Sequence, residues 1–453
     1  MVAARRMDAV SPKVWTPSEI RKLARRHRDA RKLGEASPID ASEVSPNVAT
    51  VSEASPPSSD FETTELKGKL SYWNQFEESL GNRVVIAMPA AWDEDEPEME
   101  RLCKTLGLDV KEVLVLRNRD PDQATFVGPG QLSRIKKAMK QHGASSVVVD
   151  APLRPSQVKN LEKSLKVPVL DREGIILSIF QAHARTRQAQ LQVEIAQLKY
   201  LLPRLAGVWM GLSRQRGGKG GLKGRGLGET RLELDRRLVK DRITFLSKKL
   251  EDAERAFEVQ SARRASLPRV ALVGYTNAGK STLMKQLTRA DVHIEDKLFA
   301  TLDTTVRMLV PPTKPQILVS DTVGFVRDLP HNLVASFKST LAEAVSSRLL
   351  LHVVDVSHPS WMDHFHTTED VLEEIGAGGV PRILVLNKLD RLQVSVKLRE
   401  SQCKRLLKDR PEYLFTVPMS ALTGEGVDTL RDVILRECGA EIPDWVAPRI
   451  PLE

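Results

Sequence analysis

One octapeptide constrains this chain more than any other feature. Gly274-Tyr-Thr-Asn-Ala-Gly-Lys280-Ser281 stands between an apolar run, Val270–Val273, and a helical stretch that begins near Lys280. A glycine-rich turn between a buried strand and a helix wraps its backbone N–H groups around phosphate oxygens, and the helix N-terminus adds positive potential. The order strand, G-x-x-x-x-G-K-S, helix therefore predicts a doubly wound α/β P-loop domain. Its phosphate-contacting residues are Gly274, Tyr275, Thr276, Asn277, Ala278, Gly279, Lys280, Ser281 and Thr282. Lys280 would reach the β and γ phosphates, and Ser281 would ligate Mg²⁺.

Further elements follow in an order that names the base. Asp321-Thr322-Val323-Gly324 closes an apolar strand; Asp321 can hold Mg²⁺ through water, and the Gly324 amide can meet the γ-phosphate. Asn387-Lys388-Leu389-Asp390 closes another. The Asp390 carboxylate can accept from N1 and N2 of guanine, donors that adenine does not offer. Ser420-Ala421-Leu422 follows the strand Phe415–Pro418 and can back the guanine O6. Together these predict a GTP-binding G domain. Between the first two motifs lies Phe299-Ala300-Thr301-Leu302-Asp303-Thr304-Thr305, with three candidate switch I threonines. Phe-x-Thr-Leu resembles switch I of translation-factor-like GTPases, which favours Thr301 as the Mg²⁺ ligand; Thr304 and Thr305 could open a strand instead.

The catalytic group is not readable. The position after Asp-x-x-Gly, where many G domains carry a water-orienting glutamine, is Phe325. Arg307 and Arg327 stand near the switches, but neither reads as an arginine finger. Asn277 resembles the P-loop asparagine of potassium-stimulated GTPases, where it helps ligate K⁺; the alternative is an asparagine that caps a turn. Slow intrinsic hydrolysis, accelerated by a partner, is the expectation.

At 453 residues the chain is long enough for about three domains. The sequence divides into a basic tail and Ser/Pro-rich linker (1–70), an N-terminal α/β domain (71–172), a helical hairpin (173–266), the G domain (267–442) and a short tail (443–453). In the second unit, strands are expected at Arg83–Met88, Val113–Leu116, Val147–Val149 and Val167–Leu170. Helices are expected at Glu96–Leu106, Leu132–Gln141 and Ser156–Leu165, with Gly128-Pro129-Gly130 as a turn. The hairpin rests on a heptad seam: Leu191, Ile195, Leu198 and Leu202, then Val239, Ile243, Leu246, Leu250, Ala253 and Phe257. Its second helix, from Glu229 to Ala265, would reach roughly 55 Å at about 1.5 Å per residue.

Charge is unevenly placed. The net of +9 comes from residues 1–33 and 203–240, each +7, so the remainder is −5. The loop 211–228 holds eight glycines, five cations (Arg214, Arg216, Lys219, Lys223, Arg225) and no acid. Glycine permits close backbone approach and the cations neutralise phosphate, so RNA contact is expected; a solvated linker would have a similar composition. No run approaches the ~20 apolar residues of a membrane helix. Three widely separated cysteines show neither disulfide nor metal spacing, which suits a reducing compartment. A cytoplasmic location is expected. The basic stretch within 1–33 leaves a mitochondrial matrix location as the alternative.

Several strings identify the chain as resembling the HflX family of GTPases. They are Asp171-Arg-Glu-Gly-Ile-Ile, Ala184-Arg-Thr-Arg187, Leu191 through Leu205, Leu212-Ser-Arg-Gln215 and Gly228 through Arg237, together with the P-loop and Phe-Ala-Thr-Leu-Asp. The resemblance spans about residues 82–440. It implies the three-part architecture, GTP and GDP as ligands, and a monomer that binds the large ribosomal subunit. It further implies that the loop between the hairpin helices meets rRNA near the peptidyl-transferase region, and that the GTP form splits ribosomes for recycling. A large-subunit assembly factor that senses nucleotide is the alternative, and a GTPase of tRNA modification a third. Leu227 and Arg231 depart from the more common Pro and Gln, and the glycine loop is longer than usual.

Overall fold

The computed structural model describes residues 13–14, 73, 80–89, 98–116, 121–205, 227–262, 267–289, 298–299, 305–327 and 343–443. A two-residue strand, β1 (Lys13–Val14), comes first in the chain and joins the second of two sheets. The first sheet is built from β2 (Arg83–Pro89), β3 (Asp109–Leu116), β4 (Ser146–Val149) and β5 (Val169–Asp171), in the order β3-β2-β4-β5. All its pairings are parallel. Val84 to Met88 are buried without alternation, as a central strand covered on both faces requires. Helices α1 (Glu98–Thr105), α2 (Pro129–His142) and α3 (Pro155–Leu165) supply the crossovers.

Two boundaries differ from the sequence expectation. Helix α2 starts at Pro129, so Gly128 is its N-cap and the expected turn is its first turn. Proline suits that position because the amide it lacks would have no intrahelical partner there. Strand β3 begins at Asp109, four residues before Val113, because an edge strand tolerates the half-exposed Lys111 and Glu112 that interrupt its apolar pattern.

Three helices follow rather than two: α4 (Arg172–His183), α5 (Arg187–Leu201) and α6 (Leu227–Ala262). The break between α4 and α5 is chemical. Thr186 accepts from the Ala189 amide at 3.2 Å and caps α5, while Asp171 accepts from Gly174 at 3.0 Å and caps α4. Helix α4 buries Ile175, Ile176, Leu177, Ile179 and Phe180 completely, which is apolarity on more than one face. It lies inside a core that reaches from Trp73 and Val84 of the first unit to Tyr275, Phe299 and Phe325 of the G domain.

The expected seam between α5 and α6 forms over Leu191, Ile195, Leu198, Val239 and Leu246, joined by the half-buried Leu202, Ile243 and Leu250. Arg242 donates to Glu194 across it at 2.9 and 3.1 Å. At 36 residues against 15, α6 outruns α5 by about 30 Å at 1.5 Å per residue.

The second sheet has the order β1-β11-β10-β9-β6-β8-β7. It is formed by β6 (Arg269–Val273), β7 (Thr305–Met308), β8 (Leu318–Asp321), β9 (Leu349–Asp355), β10 (Arg382–Asn387) and β11 (Tyr413–Pro418) with β1. Only the β7–β8 pairing is antiparallel. Helices α7 (Lys280–Thr288), α8 (Trp361–Glu374) and α9 (Val396–Leu406) connect its strands, and α10 (Val427–Cys438) follows β11. Thr305 opens β7, which gives it a place in a ladder.

Candidate functional site at the ends of the G-domain strands

The P-loop leaves β6 and turns into α7. Gly274 has φ +145°, and a Cβ there would lie 2.2 Å from the Val353 carbonyl oxygen of the adjacent strand. Gly279 caps α7 at φ +96°, with a would-be Cβ 2.2 Å from Asn387 Nδ2. Only glycine fits either place, so the turn can be as tight as phosphate wrapping demands. Asn277 is exposed and adopts φ +58°, a left-handed conformation that asparagine tolerates better than most residues. The turn geometry thus accounts for its presence whatever else it ligates.

Lys280 is buried, and its Nζ donates to the carbonyls of Gly274 at 3.0 Å and Tyr275 at 2.8 Å. Burial lowers its pKa to about 8, against the opposing pull of Asp321. Ser281 Oγ donates to Asp321 Oδ2 at 2.8 Å. One hydroxyl and one carboxylate oxygen beside a helix N-terminus suit Mg²⁺, which takes few protein ligands and completes its shell with phosphate and water. Thr322 donates its hydroxyl to the Leu272 carbonyl and so pins the end of β8 to β6. Gly324 lies against Thr276 and Lys280; a Cβ on it would sit 3.0 Å from the ammonium.

The base-side loops are tied to the P-loop by one side chain. Asn387 donates to the Ala278 carbonyl at 2.8 Å and accepts from the Ala421 amide at 2.9 Å. Ser420 donates its hydroxyl to the Asp390 carboxylate, which is solvent-exposed at the rim. Lys388 has φ +65° and pairs with Asp355 at 2.7 Å. Burial alone would raise the Asp355 carboxyl, but Lys388 and the Ser357 donors hold it below its ordinary value. Leu422 is 69% exposed beside this rim, an apolar face open to a planar base.

The structure thus gathers the P-loop, Asp321–Gly324, Asn387–Asp390 and Ser420–Leu422 along one sheet edge. Phe299 sits elsewhere. It is buried, with φ +59°, and packs edge-on to Phe180 of α4 at 4.8 Å between ring centres. Ala300, Thr301, Leu302 and Asp303 lie outside the described residues, as do Arg214, Arg216, Lys219, Lys223 and Arg225.

Sequence reading misses a second layer behind the P-loop. Tyr275 stacks on His364 of α8, with ring centres 3.8 Å apart. Its hydroxyl donates to Glu98 of the N-terminal unit and accepts from the Arg327 amide at 2.9 Å. Glu98 also accepts from Arg172, which donates to Asp150 at 2.7 Å and to the Arg327 carbonyl at 3.0 Å. The Arg327 guanidinium lies 3.7 Å from Asp150 and 4.0 Å from Glu98. Burial pushes the Glu98 carboxyl up, but Arg172, Tyr275 and Arg327 together bring it below its usual value. Burial prevails at Asp150, which is raised despite Arg172. Burial also lowers the His364 pKa to about 4, leaving the ring neutral against Tyr275. Only Asp171-Arg172-Glu173, conspicuous as a charged triplet before an apolar helix, hints at this cluster in the sequence.

Comparison with known proteins agrees with this geometry. Residues 93–181 match the family model described as GTP-binding GTPase N-terminal, 183–264 that of the GTP-binding GTPase middle region, and 269–388 that of the 50S ribosome-binding GTPase. The GTPase HflX of Spirochaeta thermophila is 45% identical over 349 residues, covering 77% of this chain and 82% of that protein. The GTPase HflX of Escherichia coli is 42% identical over 351 residues, covering 77% and 80%. Among solved structures, SsGBP with GDP is 26% identical with a TM-score of 0.47, over 79% of this chain and 99% of that one. Extended identity across all three segments, with the G-domain motifs gathered on one sheet edge, makes this chain a member of the HflX family of GTPases.

Proposed function

We propose that this GTPase binds the large ribosomal subunit and, with GTP, separates ribosomes into subunits for recycling. The observation that carries the reading is a pairing within one chain. A G domain that matches a 50S ribosome-binding GTPase family is preceded by a loop, 211–228, of eight glycines and five cations without an acid. Such a loop between two helices of a seam suits close approach to an RNA backbone. In the proposed cycle, Gly274 to Thr282 hold the phosphates, and Ser281 and Asp321 hold Mg²⁺, with Thr301 as the switch I ligand. When bound there, Mg²⁺ would neutralise phosphate charge. Asp390, Ser420 and Leu422 read guanine, Gly324 senses the γ-phosphate, and Asn277 is the candidate K⁺ ligand.

The test uses purified intact ribosomes with GTP, GDP and a non-hydrolysable GTP analogue. Analogue-dependent appearance of free subunits on a gradient supports splitting. Binding confined to immature large subunits would replace that reading with an assembly role, and tRNA binding without ribosome sedimentation would overturn both. Neutralising Arg214, Arg216, Lys219, Lys223 and Arg225 should flatten the salt dependence of ribosome binding and leave GTP affinity intact.

A further inference from the structure

The N-terminal sheet has a topological switch point. β2 and β4 are neighbours, and the crossover after β2 leads to β3 on one side while the crossover after β4 leads to β5 on the other. In open parallel sheets, ligands enter the crevice at the carboxyl ends of such strands. Here that crevice is defined by Asp150, directly after β4, and Glu98, at the start of the helix after β2. Both side chains are at least nine-tenths buried. Arg172 of the same unit neutralises one charge. The second positive charge comes from Arg327, three residues beyond Gly324, and the Tyr275 hydroxyl of the P-loop donates to Glu98. Glu98, Asp150, Arg172 and Arg327 then sum to zero.

Further contacts bind residues 324–327, the switch II segment that follows Asp321-Thr-Val, to the P-loop. The Thr276 amide donates to the Phe325 carbonyl at 2.7 Å, and the Phe325 amide donates to the Gly274 carbonyl at 3.1 Å. The Tyr275 hydroxyl holds the Arg327 amide. While this bridge stands, the Lys280 ammonium is turned onto the Gly274 and Tyr275 carbonyls, with Gly324 packed beside it. Bringing Gly324 to a γ-phosphate requires residues 324–327 to leave the bridge. That takes Arg327 away from Glu98 and Asp150, leaving a net negative charge in a buried crevice, an arrangement that is strongly disfavoured.

We propose that Tyr275 and Arg327 are positioning residues through which the N-terminal unit's Glu98 and Asp150 hold switch II off the γ-phosphate, so that this unit sets the protein's preference between GDP and GTP. Release of switch II and loosening of the interface between the two units are then one event. GDP, which asks nothing of Gly324, binds without breaking the bridge. This inference concerns nucleotide preference in the free protein and is independent of what the protein does on a ribosome.

The experiment measures the affinities of the full chain for GDP and for a non-hydrolysable GTP analogue, both with Mg²⁺. Glu98→Gln and Asp150→Asn each remove one carboxylate that holds Arg327. Each should tighten analogue binding about threefold to tenfold while GDP affinity changes less than about twofold. A loss of packing alone would weaken both nucleotides together, so the ratio separates positioning from structure. Asp150 contacts only Arg172 and Arg327 among the described charged groups, so Asp150→Asn decides the matter if Glu98→Gln fails to fold. Tyr275→Phe, which keeps the ring on His364 and removes the hydroxyl, should move the analogue-to-GDP ratio the same way. A ratio that stays within twofold of the parent in variants that bind GDP overturns the proposal.

Discussion

The two parallel sheets of this protein share an architecture and differ in what their strand ends present. At the P-loop the G-domain sheet presents backbone amides, a buried lysine and a helix N-terminus, with the Asp321 carboxylate beside them on Ser281. The N-terminal sheet ends in two buried carboxylates, met by two arginines and a tyrosine. One crevice is prepared for an anion from outside; the other is closed by side chains of the same chain. A shared fold therefore says little about ligand, whereas the charge at the carboxyl ends of the strands says much.

Removing a charge at each crevice sharpens the contrast. Arg172→Ala leaves Glu98 and Asp150 facing each other with only the more distant Arg327 between them. Thermal or urea unfolding should show a loss of about 3–5 kcal/mol, concentrated in the N-terminal unit. A loss under about 1 kcal/mol would mean the carboxylates reach water, and the contrast would fail. In the G domain the matching change, Lys280→Ala, should reduce GTP turnover by about 10²–10³-fold, because a preorganised cation at the phosphates is lost. Near-normal phosphate release would dismiss Lys280 from the site. Asp390→Ala should lower GTP affinity about 100-fold and leave weak ATP binding unchanged, narrowing the guanine preference. An equal fall for both nucleotides would point to a folding defect instead.

One effect needs no substitution and is read from pH alone. Without nucleotide, Lys280 has a pKa near 8, and phosphates favour its charged form. Its contribution to binding is therefore complete below pH 8 and declines as pH rises above it. GTP affinity should drop by up to about tenfold per pH unit in that range, until the pKa of the bound complex is reached. A flat profile from pH 7 to 10, read by equilibrium binding, would show that the lysine is already charged throughout.

Much of this was legible in the residues. Central strands such as Val84–Met88, Val270–Val273 and Ile383–Leu386 are uninterrupted apolar runs, because both faces are covered, and the P-loop and the Asn387 motif each sit directly after one. Edge strands were harder, since β3 mixes Lys111 and Glu112 into its pattern. The break between α4 and α5 escaped notice because Thr186 acts as a cap through one hydrogen bond, inside a stretch that otherwise reads as continuous helix. Beyond the charged triplet Asp171-Arg172-Glu173, the interdomain cluster had no local signature. Glu98 and Tyr275 are 177 residues apart, and each alone looks like an ordinary surface acid or P-loop aromatic. Three-dimensional charge balance is invisible to spacing rules when its members come from four separate elements.

Asn387 has a further consequence. One carboxamide accepts from the loop behind the base and donates to the loop around the phosphates, so the two ends of the nucleotide pocket keep a fixed span. The pocket behaves as a caliper. For a ligand whose base seats too shallowly, a compensating shift of the phosphate loop would have to break the Asn387 bonds that tie Ala278 to Ala421. With base and phosphates seated as proposed, discrimination against the wrong base would thereby be felt at the phosphates, at the opposite end of the ligand from the groups that differ.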